Sequence, residues 1–103
     1  MRARFPVGHL ISSDGDLLVH SGPCLLTAVM LTGLGGAGYI KVYDGRNTTG
    51  ELKLIVNTDD NETYCIVFGF PADFDEGLYV AIEGQSTVQW SVQYMPLSGG
   101  WPV

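Results

Sequence analysis

The chain has 103 residues, of which 46% are hydrophobic and 16% charged, and its net charge is -6. That length fits one domain that buries roughly 65% of its unfolded surface, and so apolar a composition excludes a disordered chain. With Arg2, Arg4, Lys41, Arg46 and Lys53 as the whole basic complement, no phosphate-binding patch is available. Neither nucleic acid nor an anionic membrane is therefore expected as a partner, and no run nears the roughly 20 apolar residues of a membrane span.

In chain order, the opening "MRARFPVGHLISSDGD" lacks the continuous apolar core of a secretory signal, so Arg2 and Arg4 are read as part of a frayed arm. Residues 7–12 make the first strand-like run, and Asp14-Gly15 follows as a turn dipeptide that tolerates positive φ. Residues 17–21 form the second run. Residues 24–32, "CLLTAVMLT", are apolar on both faces. That suits a central strand, or one covered again by a second surface. "TGLGGAG" (32–38) is too glycine-rich for a regular element and reads as a loop.

Residues 38–43 and 51–57 flank the polar loop "DGRNTTG", in which Asp44-Gly45 is a second turn dipeptide. Arg46 carries a fork of donors, Asn47 an amide, and Thr48 and Thr49 hydroxyls; as a sequence these groups satisfy one another poorly and can bond outward. Arg46, Asn47 and Thr48 are thus candidate partner-binding residues. In the fifth run Leu52, Leu54 and Val56 share a face, with Lys53 opposite. Residues 63–68 form the sixth run, and "PADFDEG" (71–77) allows one short helical turn with acids near its start. Residues 77–83 place Leu78, Val80 and Ile82 on one side. Residues 87–95 place Val88, Trp90, Val92 and Tyr94 on one side and Gln89, Ser91 and Gln93 on the other.

Eight short runs punctuated by glycine predict an all-β chain: a single antiparallel β-sandwich of about eight strands, the jelly-roll count. The domain is expected to span residues 1–95, and "PLSGGWPV" (96–103) to form an extended tail. Trp101, with no core to fill there, is the tail's candidate anchor for a partner.

Catalytic patterns are missing from the sequence. There is no G-x-S-x-G, and His9 and His20 sit in separate runs and read as ordinary strand histidines. Cys24 and Cys65 lie in apolar stretches without CxxC spacing, so two reduced, mostly buried thiols are expected, with a single bridge between neighbouring strands as the alternative, and no metal knuckle. The acids Asp59, Asp60 and Glu62, and Asp73, Asp75 and Glu76, read as solvated turns without EF-hand spacing. Asn47-Thr48-Thr49 and Asn61-Glu62-Thr63 fit the glycosylation pattern but carry no weight without a secretory signal. No cofactor, metal or catalytic residue is expected, and the function class is structural or binding.

Two resemblances add to this. "IKVYDG" (40–45) looks like a strand end of extracellular CUB domains, but the cysteine pairs expected of that family are missing. Across residues 14–94, the succession "SGPCLLTAVMLTG", "YIKVYDGRNTTGELK", "GLYVAIEG" and a closing strand of alternating valines and aromatics resembles small β-sandwich virion proteins of tailed bacteriophages. The resemblance implies a non-enzymatic structural protein of the virion, assembled in the host cytoplasm. Its leading form is a capsid decoration or cement protein that binds the major capsid protein lattice, commonly as a homotrimer; a tail or neck protein is the alternative. From another class, a carbohydrate-binding module would use Trp90, Tyr79 or Trp101 as a stacking surface. Trp90, which alternates with Val88 and Val92, is expected in the core instead.

Overall fold

The computed structural model describes residues 9–34, 38–59, 61–83, 88–98 and 101–102. The expected arm at residues 1–6 and the side chain of Trp101 lie outside that description. Among the described residues nine strands follow one another: β1 (His9–Ser13), β2 (Leu17–Ser21), β3 (Cys24–Gly33), β4 (Gly38–Asp44), β5 (Glu51–Thr58), β6 (Thr63–Phe74), β7 (Gly77–Glu83), β8 (Val88–Ser98) and the short β9 (Trp101–Pro102). The first eight form two antiparallel sheets, ordered β1-β8-β3-β6 and β2-β7-β4-β5, and β9 pairs with the end of β8. The pairs β1·β8, β2·β7, β3·β6 and β4·β5 are the rungs of one long hairpin folded over on itself. That is the jelly-roll arrangement, and the expected all-β sandwich is the fold observed. Among the described residues no helix is long and apolar enough to cross a membrane.

The core follows from strand alternation, because residues two apart face the same way. Val88, Trp90 and Val92 of β8, Leu78 and Val80 of β7, and Ile40 and Val42 of β4 are all buried between the sheets. Leu26, Val29 and Leu31 of β3 join them, with Phe74 closing one end. Burial contributes about 1.5–3 kcal/mol for each such large side chain. Trp90 is in the core, as its alternation predicts, and its indole Nε1 donates to the Gly15 carbonyl at 2.9 Å. The polar edge of the largest buried ring is thereby satisfied.

β3 is central in its sheet, between β8 and β6. Its apolar outward residues include Leu25, Ala28 and Met30, which are left partly or fully open to solvent.

Several expectations are corrected. "PADFDEG" holds no helical turn: Pro71 to Phe74 complete β6, which re-enters the β3 ladder at Ala72 after an irregularity opposite Thr27. Leu52 is not on the core face. The β4·β5 register shifts between Val42 and Tyr43, so Val42 faces Leu54 but Tyr43 faces Leu52. The extra residue, Lys53, reverses the alternation, since an inserted residue exchanges the two faces. Leu52 is exposed as a result. Residues 96–98 are not a tail: β8 runs on to Ser98, Pro96 pairs with Cys24, and the Leu97 N–H donates to the Pro23 carbonyl at 3.0 Å. The expected boundary at residue 95 therefore cuts a strand. Cys24 and Cys65 are both free thiols, but only Cys24 is buried. Cys65 pairs with Met30 on the outward face of β6, so its apolar flanks do not cover it.

Candidate functional site

At one end of the sandwich the loop after β4 meets the turn between β6 and β7. Asp44, the last residue of β4, is buried there. Its Oδ1 accepts the backbone N–H of Glu76 at 2.8 Å, and that of Gly77 at 3.4 Å. The Asp75 N–H is shared between the two oxygens, at 3.2 and 3.1 Å. One carboxylate thus satisfies three successive backbone donors, about 30 residues away in sequence. Burial opposes the charge on Asp44. The donors of Glu76, Asp75 and Gly77, with Lys53 adding its positive charge, outweigh burial and hold the carboxyl below its ordinary pKa.

The backbones at this junction touch. The Gly45 N–H donates to the Gly77 carbonyl at 3.1 Å, and the Gly22 N–H to the Glu76 carbonyl at 2.9 Å. A Cβ at Gly77 would lie 2.6 Å from the Gly45 oxygen, and one at Gly50 would lie 2.5 Å from the Asp44 oxygen. Only glycine fits at either point. Asp14-Gly15 and Asp44-Gly45 both lie at turns, as expected, but neither uses the positive φ that such a pair tolerates. Among the described residues positive φ occurs at Gly22 (109°) and Asn61 (58°), and the glycines at 45, 50 and 77 serve close approach instead.

The junction fixes both ends of the Asp44–Gly50 loop and leaves its crown outside. Arg46, Asn47, Thr48 and Thr49 are exposed. The structure brings Arg46, Asn47 and Thr48 together at one tip, as expected, but corrects their supposed lack of mutual satisfaction. The Asn47 carboxamide oxygen accepts both the N–H of Thr49, at 2.9 Å, and its hydroxyl. Asn47 shapes the loop, because an Asn side chain bonded two residues on stands in for a backbone turn. The Gly50 N–H closes the loop on the Asn47 carbonyl at 3.2 Å. Arg46 and Thr48 make no side-chain hydrogen bond or ion pair to the described residues, so their donors face solvent. Between this crown and the facing turn lies an open concavity of about 420 Å³. Arg46, Asn47 and Thr49 line one side, and Gly22, Asp75 and Glu76 the other. It sets one cation against two carboxylates, a surface for polar groups.

Sequence reading missed Asp44 as the organiser of this end, because its partners belong to another strand connection. It also missed a row on the outer face of the second sheet, whose ends Leu18 and Leu52 are exposed while Tyr43 within it is buried. Leu18, Tyr79, Tyr43 and Leu52 are successive cross-strand partners through β2, β7, β4 and β5. The Tyr43 and Tyr79 ring centroids are 6.5 Å apart. Aromatics that look scattered along the chain are neighbours on this face. His20 lies against Tyr94, with ring centroids 5.8 Å apart, and no group of three or more metal-ligating side chains occurs among the described residues. The Cys24 thiol is pushed up to about 12, first by burial and then by Asp44 and Asp73, so it stays protonated and unreactive at neutral pH. No protein-family model and no curated protein matches the chain.

Proposed function

We propose that the chain is a non-enzymatic structural protein of a bacteriophage virion, a decoration protein that attaches in several copies to the major capsid protein lattice. The observation that supports this best is the crown of the Asp44–Gly50 loop. Its base is pinned by one buried carboxylate and its donors at Arg46 and Thr48 are unspent. A rigid scaffold that presents a polar loop binds without a large ordering cost. Arg46 supplies a planar fork suited to a carboxylate or to paired carbonyls of a protein surface, and Thr48 adds a hydroxyl. The β-sandwich and the likeness to small virion proteins support the same reading, and Trp101 is retained as a second anchor.

The experiment is mass spectrometry of purified virions followed by add-back of pure chain to particles stripped of it. The reading expects the chain in the particle at many copies and saturable rebinding, weakened when Arg46 is replaced by Ala. Absence from virions rejects it. A second reading, sugar binding, rests on the half-buried Tyr79 beside the exposed Leu18 as its stacking ring, with Tyr43 next to it buried and tilted 53° to it. Binding on a glycan array that is lost with Tyr79→Ala would select it.

A further inference from the structure

Four strands end the two sheets, and three of them carry the usual protections against pairing with another chain. β1 and β2 are five residues long, and β5 bears Glu51 and Lys53 beside its bulge. β6 differs. Pro71 and the irregularity opposite Thr27 guard only its C-terminal part; its segment Thr63–Val67 has no charged residue, proline or bulge and pairs regularly with β3 on one side only. Val67 is 76% exposed, Phe70 89%, Tyr64 53% and the neighbouring Met30 41%. Unprotected apolar edges of this kind are templates for another strand.

We infer that this edge is the contact between two copies of the chain, with Thr63–Val67 of one paired antiparallel to Thr63–Val67 of the other. The net charge of -6 opposes self-association over the surface as a whole, and the uncharged edge is where a second copy meets the least of it, its own identical edge supplying the matching strand. An antiparallel pairing of identical edges is self-complementary and closes as a two-fold dimer. Tyr64 flanks the pairing on the core side, opposite Leu31, Val67 and Met30 flank it on the outer side, and Phe70 stands just past its end; Phe70 and Tyr64 offer about 200–350 Å² of ring surface, and Val67 and Met30 roughly 100 Å² more at ordinary side-chain areas. That approaches the apolar share of a standard interface of ~800 Å² per partner.

The register makes the idea specific. The centre of Thr63–Val67 is Cys65, so full overlap sets Thr63 against the second copy's Val67 and Cys65 against the second copy's Cys65. Directly opposed residues have Cα atoms about 4.5–5.5 Å apart, inside the window of about 4.4–6.8 Å for a disulfide. The inference goes beyond particle binding and is tested in its absence. Purified full-length chain is examined by analytical ultracentrifugation, then treated with diamide. Diamide takes up the two hydrogens released as two Cys65 thiols form one S–S bond. The expected result is a dimer that Val67→Lys weakens at least 100-fold, while Leu10→Lys on the opposite edge leaves it unchanged. Diamide should give a covalent dimer that Cys65→Ser abolishes. Val67 is exposed, so its replacement leaves folding intact, and circular dichroism checks this. A monomer at millimolar concentration, a trimer, or a dimer indifferent to Val67→Lys that does not cross-link through Cys65 overturns the inference.

Discussion

Replacing Asp44 by Ala is the sharpest test of how the loop end is held. The carboxylate receives the N–H groups of Asp75, Glu76 and Gly77. A hydrogen bond to a charged group contributes a net ~1.5–3 kcal/mol, and each buried donor left bare costs about 1–3 kcal/mol. The three bonds are not additive: Gly77 is distant at 3.4 Å, and burial already opposes the charge. A loss of about 3–5 kcal/mol is therefore expected for Asp44→Ala, a large part of the ~5–15 kcal/mol that stabilises a domain. At about 4–8 °C per kcal/mol for a chain of this size, Tm should fall by at least about 12 °C. Asp44→Asn keeps an acceptor at the Oδ1 position, where Glu76 donates, but turns an amide toward Asp75, so about 1–3 kcal/mol is expected. Urea unfolding measures both losses, and amide exchange should quicken at Asp75, Glu76 and Gly77 before it does in β8. If Asp44→Ala lies within about 0.5 kcal/mol of the parent, the level of an ordinary surface change, the pinned-loop reasoning is wrong.

Three further predictions follow from the same geometry. Gly77→Ala should cost about 1–3 kcal/mol through overpacking, because its Cβ meets the Gly45 oxygen at 2.6 Å, whereas Gly15→Ala, with nothing within 4 Å, should be near neutral; urea midpoints decide. Asp44 has a folded pKa below its ordinary 3.8, so its contribution is present above that value and lost as pH falls through the lowered one. The stability gap between the parent and Asp44→Asn should accordingly shrink in acid, and a gap that is constant from neutral pH down to the acid transition would refute this. In native chain one thiol, Cys65, should react promptly with a disulfide reagent, and Cys24 only after unfolding; equal reactivity of both would contradict the burial assigned to Cys24.

Much of the fold was legible because strands alternate. The period of two in β7 and β8 names the core residues directly, down to Trp90. The eight runs lie close to β1–β8, since apolar β-rich stretches bounded by glycine have few other ways to fold. What escaped the sequence was irregular or distant. One inserted residue, Lys53, reverses the alternation of β5 and moves Leu52 outward, and nothing in "ELKLIV" marks the slip. The strand character of Pro71 to Phe74 comes from pairing with Cys24, Leu25 and Leu26, which overrides the weak local preference of a Pro-Ala-Asp segment. At the site, the sequence identified an exposed polar crown. It did not identify why the crown is held, because the carboxylate of Asp44 and its donors at residues 75–77 meet only once β4 and β7 lie side by side.

The proposed attachment is tested most directly by titrating fluorescent chain onto purified capsids stripped of it and reading particle-bound copies, with Arg46→Ala and Thr48→Ala measured alongside the parent. Each variant alters an exposed side chain and leaves the fold in place. The account predicts saturable binding by the parent and affinity lowered about tenfold or more by Arg46→Ala, as expected where a charged donor loses its partner at about 1.5–3 kcal/mol, with a smaller loss for Thr48→Ala. No binding by the parent, or equal occupancy by all three chains, would contradict it.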